Sequence, residues 1–482
     1  MSIKKNFVYS SILTVSNYLF PLLTFPYISR VLGVTNIGIC NYVDSIITYF
    51  CVFSAMGVAV VGVREIAQVS DQEKKRSNVF FSILSINAFF TFLSIIVLVL
   101  CVLFVKDFQQ YRTLFYIGIL KLVSNLFLVE WFYKGTENFS YITKRAIIVK
   151  TLYVSSVFLF IRCQDDYIIY FLLTILHLSA NAFINIFHLR KHVILESINI
   201  RFSPYIKSYL IMGMYTILTT MYTTFNIAIL GYISGPTEVG YFTTATKIFS
   251  IILALFTAFT GVMLPRMSSL LTNHEEGKFL SLINKSMNAL FIFAFPAITY
   301  FIVFSPEVIY LIGGKGYEGA IMPLRIIMPV ILIVGYEQIL IIQALMPMKK
   351  DRAIFINSCI GAVVGLILNF LLIPVYGSIG TSVAYCLCEV SVLCSALFFM
   401  CRYTKYQFPF REFIWHLIFN IPLIVICLFI YSLTSVNPIL KLLLSGGGVG
   451  MYAYINNYYM MKNQLFIQLI NNTKSKIWKV LK

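Results

Sequence analysis

Apolar runs of membrane-crossing length succeed one another along almost the whole chain, and the gaps between them are too short to fold by themselves. About twenty apolar residues is the length at which a helix crosses the hydrocarbon core of a bilayer. Such a helix also satisfies its own backbone hydrogen bonds where no water is present to do so. Fourteen spans are expected, at 8–32, 41–63, 79–104, 113–133, 146–162, 167–188, 206–233, 239–263, 286–305, 324–346, 353–374, 379–400, 416–434 and 439–461. Charged residues make up only 12% of the 482, about half the share found in a soluble domain. The expected fold class is an all-α integral membrane protein with about 14 transmembrane helices.

The net charge of +18 would suggest nucleic acid in a soluble protein. Here the basic residues sit in the gaps, which is the pattern that orients membrane helices, so no nucleic-acid partner is expected. With the N-terminus inside, 28 of the 37 lysines and arginines fall in inside segments, and every inside segment carries an excess. A missed span would reverse that bias downstream. The expected placement is a multi-pass protein of the bacterial inner (cytoplasmic) membrane with both termini cytoplasmic.

The spans contain a repeat. Gly33-Val34-Thr35-Asn36-Ile37-Gly38 joins spans one and two, and Gly235-Pro236-Thr237-Glu238-Val239-Gly240 joins spans seven and eight. Both read G-x-T-x-x-G, six spans apart, so the halves keep one orientation. Parallel six-span halves are a transporter architecture with the substrate path between lobes. The expected organisation is an N-lobe over 1–200, a C-lobe over 201–405, and a helix pair with a cytoplasmic tail over 406–482. Pseudo-symmetric halves fit a working monomer.

No enzyme signature is present: H-E-x-x-H, G-x-S-x-G and the phosphate-binding G-x-x-x-x-G-K-[ST] are all missing. No catalytic residue is expected. The ten cysteines contain no C-x-x-C, and no metal site is expected. The informative residues are charges inside spans, because placing one in hydrocarbon costs at least about 2.5 kcal/mol on insertion scales. Lys121 and Lys247, with Arg30 near the outside edge, are the candidate cationic cavity for a diphosphate. Asp44, Glu337 and Glu389 are candidate cavity carboxylates for pairing or ion coupling. Span seven carries Thr216, Thr220, Thr223, Thr224 and Asn226, a candidate polar wall along which sugars slide. Helix-to-helix hydrogen bonding explains the same stripe equally well.

Several segments resemble one known family. Ser29-Arg30-Val31-Leu32-Gly33 with Gly38 is similar to its first hairpin, and Trp131-Phe132-Tyr133-Lys134-Gly135 to its turn after span four. Leu230-Gly231-Tyr232, Val239-Gly240-Tyr241 and Thr246-Lys247-Ile248 resemble its span seven–eight hairpin. Leu368-Asn369, Ile373-Pro374, Gly377, Gly380 and 384–389 resemble its span eleven–twelve hairpin. The family is the Wzx-type polysaccharide (O-antigen or capsule) flippases, in the superfamily that also holds the MATE exporters and the lipid II flippase. The resemblance implies alternating access around a cationic cavity, with a polyprenyl-diphosphate-linked oligosaccharide as substrate. It implies no cofactor beyond H+ or Na+ coupling, and makes polysaccharide polymerase machinery a candidate partner. Relatives often carry Asp where Asn226 stands, and a neutral amide takes up no proton. Residues 7–29 carry no charge, unlike the arginine-bearing first span of lipid II flippases. Two other readings stay open: a cation-coupled exporter of the MATE type, and a membrane glycolipid polymerase or acyltransferase.

Overall fold

The computed structural model describes residues 3–194, 199–433, 437–461, 463, 466 and 467; the side chains of 3–8, 10, 11, 215, 218, 219 and 221–223 lie outside the description. The expected cytoplasmic tail and the Thr223 side chain therefore fall outside it. Among the described residues the chain is predominantly helical and forms no strand. Nine helices among the described residues are long and apolar enough to cross a membrane, or ten with one bent pair counted as a single span. The expected segments fall largely on these helices, with turns inside 41–63, 113–133 and 324–346.

The chain divides into two compact units. The first comprises Met1–Thr243 and Asn369–Thr381, and the second Thr244–Leu368 and Ser382–Lys482. The first unit holds α1 (Ile3–Ala55), α2 (Val58–Gln68), α3 (Glu73–Phe104), α4 (Lys106–Gln110), α5 (Arg112–Leu128), α6 (Glu130–Gly135), α7 (Phe139–Phe160), α8 (Tyr167–Leu189) and α9 (Ser203–Ser234). Helix α1 is two spans broken at Gly33, whose φ of 77° lies in the region open to glycine. Span seven, α9, belongs to this unit because it packs along α1.

The turn after span four is a buried knot. Val129 takes a left-handed conformation (φ 37°) and turns the chain into α6, at a cost of about 1–2 kcal/mol for a residue with a Cβ. Burial of Trp131, Phe132 and Tyr133 offsets it. Trp131 stacks on Phe80 at 5.3 Å, and Tyr133 donates to the Asn185 carbonyl at 2.7 Å. Glu130 anchors the knot by accepting from Arg145 at 2.7 Å.

The second unit holds most of α10 (Pro236–Thr272), with α11 (Glu276–Val303), α12 (Ser305–Ile312), α13 (Ile321–Ile327), α14 (Val330–Gln338), a π-helical stretch (Ile339–Leu345), α15 (Asp351–Tyr403), α16 (Phe410–Ser432) and α17 (Pro438–Ile455). Helix α15 is again two spans, broken at Gly377, where φ is 54°; that corner belongs to the first unit. Helix α16 turns its polar residues inward: Asn420 donates to Thr299 at 2.6 Å, and His416 meets Asn288 at 3.0 Å. Its other face exposes Leu417, Ile421, Val425, Leu428 and Phe429. A continuous apolar face of that size is built for lipid.

Helix α17 is pinned by Lys441 to Glu307 of α12 at 2.9 Å, with both side chains about nine-tenths buried. The ammonium also lies 4.4 Å from the Tyr431 ring centre. Lys441→Met strands the Glu307 carboxylate, and breaking a buried pair costs about 3–5 kcal/mol. The variant is expected to melt well below wild type in detergent. Adding Glu307→Gln is expected to recover most of the loss, and failure to recover would assign the cost to Lys441 packing instead.

Candidate functional site

In the first unit, Asp44 sits on the second half of α1 and Lys121 on α5. The Lys121 ammonium meets the Asp44 carboxylate at 2.5 Å and donates to the Thr48 hydroxyl at 3.0 Å. The pair lines a cavity of about 250 Å³ whose other polar walls are Asn41, Tyr170, Thr174 and His177. The carboxylate is nearly half exposed while the ammonium is mostly covered. The cavity thus presents a cation neutralised by its neighbour.

A second lysine lies at mid-helix in the same unit. Helix α7 begins at Phe139, seven residues before the expected start of span five, so Lys150 is about 15 Å from its Phe160 end. Its ammonium donates to the Ser16 hydroxyl at 2.9 Å and to the Asn17 side-chain oxygen. The polar start of the helix, with Lys144 and Arg145, reads as loop in the sequence and hid this residue. His177 of α8 lies 5.5 Å ring to ring from Tyr153 of α7.

The hydroxyl stripe of α9 is largely satisfied by its own backbone. Thr216, Thr220 and Thr224 each donate to the carbonyl four residues earlier, at 2.7–3.0 Å. Such back-bonding lets a hydroxyl ride an apolar helix. Thr224 also meets the Tyr49 hydroxyl at 2.8 Å. Asn226 is buried and accepts from Asn369 at 2.7 Å. Arg30 is exposed, three residues before the break at Gly33.

The repeated hairpins meet each other. The Thr35 and Thr237 hydroxyls are 3.0 Å apart, and Asn41 donates to Thr243 at 3.0 Å. Both pairs are 202 residues apart, the offset of the repeat, so equivalent residues of the two halves touch. The last glycine of each motif permits the approach. A Cβ on Gly38 would stand 1.8 Å from the Pro236 carbonyl oxygen, and one on Gly240 would stand 2.4 Å from that of Val34. Each hairpin also holds a corner: Asn36 donates to the Gln164 carbonyl at 2.8 Å, and Glu238 accepts from the Ser378 amide at 2.7 Å. Asp166 fixes the first corner by accepting from the Arg162 and Cys163 amides, which holds its carboxyl below the usual range. Gly240→Ala is expected to cost about 1–3 kcal/mol through overpacking, seen as lower membrane abundance and melting temperature. A variant as stable as wild type would mean that the hairpins do not need this contact.

In the second unit, Glu337 ends α14 and Glu389 lies on α15; both are buried. Their side chains lie beside each other, with Tyr385 next to Glu389. Lys247 lies on α10 in the same unit, partly covered. Lys285 and Arg411 line a pocket of about 550 Å³ with Trp415 and His416. Among the described residues no group of three or more His, Cys, Asp or Glu is placed to hold a metal.

Long apolar helices, short connections and paired polar groups in the interior of each unit define a multi-span membrane transporter. Residues 3–271 match the model of the polysaccharide biosynthesis protein family, and the chain belongs to that family. It is 26% identical over 414 residues to a protein of Escherichia coli (strain K12) provisionally named O-antigen transporter, covering 83% of this chain and 97% of that one. It is 24% identical over 240 residues to Agl15 of Haloferax volcanii, provisionally named a low-salt glycan biosynthesis flippase, covering 48% of this chain and 49% of that one. Among solved structures, the lipid II flippase MurJ in an inward closed conformation superposes with a TM-score of 0.75 at 14% identity, over 94% of this chain and all of that one. An outward-facing MATE multidrug transporter gives 0.57 at 13% identity, over 82% and 94%. At these identities the structural likeness is one of fold.

Proposed function

We propose that this protein flips an undecaprenyl-diphosphate-linked oligosaccharide repeat unit from the cytoplasmic to the outer leaflet of the bacterial inner membrane, by alternating access, for surface polysaccharide assembly. Family membership supports the reading, as do the names of its relatives. The observation that carries it is the placement of Lys121, paired with Asp44, in the middle of the apolar α5 of the first unit. Cations at that depth are costly and are kept for an anion or a partner. Lys121, Lys150 and, in the second unit, Lys247 attract the diphosphate during its passage, with Arg30 near the outside edge. The hydroxyls of α9 and Asn226 meet the sugars, and the polyprenyl tail stays in lipid. Both termini are cytoplasmic, the chain works as a monomer without catalytic chemistry, and its product passes to a polymerase.

The test is deletion of the gene in its own host, with lipid-linked intermediates assayed by side of the membrane. Repeat units are expected to accumulate on the cytoplasmic face while surface polysaccharide is lost. The buried acidic pair Glu337–Glu389 favours one rival, a cation-coupled drug exporter. Intact surface polymer with raised sensitivity to cationic drugs would establish that rival.

A further inference from the structure

The pocket of about 550 Å³ in the second unit lies between α11, the start of α16 and the stretch that follows α17. Lys247, Glu337 and Glu389 do not line it, and the transport reading gives it no task. Its two cations come from different helices, Lys285 from α11 and Arg411 from the first turn of α16. Neither makes an ion pair or hydrogen bond among the described residues. Both fall in segments that the charge distribution assigns to the inside. Like charges lining one cavity repel, and an anion between them relieves the repulsion.

The rest of the pocket is built for a polar head with apolar chains. His416 is 4% exposed and Asn463 7%. The Asn288 side-chain oxygen accepts from the Asn463 amide at 2.9 Å and meets His416 Nε2 at 3.0 Å. With that oxygen engaged twice, the Asn288 amide N–H groups are left to donate. A π-helical turn, Asn456–Met460, follows α17 and brings Met460 and Met461 to the lining. Trp415 is 45% exposed and stacks on Phe419 at 5.6 Å. A tryptophan so placed marks the headgroup level of a bilayer. The exposed apolar face of α16 starts two residues further on, at Leu417. Glu412 also lines the pocket. Two cations and one carboxylate leave a single net positive charge. That charge matches a phosphodiester, and falls short of the two negative charges on a polyprenyl-linked diphosphate.

We infer that this pocket holds the phosphate of an anionic glycerophospholipid of the inside leaflet, with its chains along the exposed face of α16. Basic pockets between membrane helices on the cytoplasmic side hold such headgroups. Lys285 and Arg411 take the phosphate oxygens, the Asn288 amide donates to the headgroup, and Trp415 packs on the glycerol. The lipid thereby ties α16 to α11. The helix pair outside the repeat is fixed to the second unit through lipid as well as through its own contacts. The inference is independent of the transport reading.

The experiment is native mass spectrometry of the full chain in neutral detergent, with dioleoyl phosphatidylglycerol and dioleoyl phosphatidylcholine as competing probes. Wild type is expected to retain one phosphatidylglycerol at least about tenfold over phosphatidylcholine. Lys285→Gln with Arg411→Gln is expected to abolish the preference, and Glu412→Gln to widen it. Phosphatidylglycerol is expected to raise the melting temperature of wild type and not of the double variant. Equal retention of the two lipids, or a preference that the double variant keeps, would overturn the site. Should the double variant be unstable, Glu412→Gln decides, and a preference it leaves unchanged would overturn the site too. The same rise in melting temperature with inorganic phosphate would make this a free-anion site and sink the lipid reading. Displacement of phosphatidylglycerol by equimolar undecaprenyl diphosphate would replace the resident phospholipid with the transport substrate.

Discussion

Oxidised Thr35→Cys/Thr237→Cys protein is expected to export no surface polysaccharide, falling to the level of a gene deletion, and reductant is expected to restore it. The two hydroxyls are 3.0 Å apart, so cysteines in their place bring two thiols together. The alternating access proposed above requires the hairpin ends of spans one, two, seven and eight to part once per cycle. A covalent bond between them removes that step and leaves the rest of the protein untouched. Each single-cysteine variant must export normally under the same oxidant, because the chain carries ten native cysteines and Cys163 is exposed near this corner. Normal export by fully cross-linked protein would mean that the hairpins stay joined through the cycle and that the outer path opens elsewhere.

Lys121→Ala is expected to lower export by about tenfold or more at normal abundance, and Asp44→Ala added to it is expected to rescue little. The double variant separates two roles. If the lysine only neutralises Asp44, removing both leaves an uncharged wall and export returns. If the lysine attracts the diphosphate, the cation is missing in both variants. Asp44→Asn alone frees the ammonium from its partner at 2.5 Å, so substrate is expected to be held more tightly and released more slowly. Full recovery in the double variant would assign Lys121 to structure.

The membrane class and the repeat were legible because each follows from a simple rule. Twenty apolar residues span a bilayer, and a motif recurring at a fixed offset marks a duplicated half. The structure adds why the motif has its form, since Gly38 and Gly240 face a neighbouring carbonyl that tolerates no Cβ. The sequence also singled out Asp44, Lys121, Glu337 and Glu389 as charges in apolar surroundings, and two pairings emerge from those four. It could not say which would pair, because helix neighbours distant in sequence have no local signal. Lys150 was hidden for a different reason. Its helix opens with polar residues that read as loop, so a lysine at mid-helix was counted with those outside it. The π-helical stretch after Glu337 leaves no trace in the apolar pattern either.

The hairpin contact imposes a rule on its own composition. Residues that touch their own counterparts across a pseudo-two-fold axis form an isologous patch, as in the interface of a symmetric dimer. Each position there must complement itself or its near twin. A hydroxyl does so because it both donates and accepts, an amide does so for the same reason, and glycine does so by absence. An aspartate or a lysine at such a position would face its own charge. Threonine, asparagine and glycine at this corner therefore follow from duplication: one residue choice, inherited twice, had to bond with its own copy.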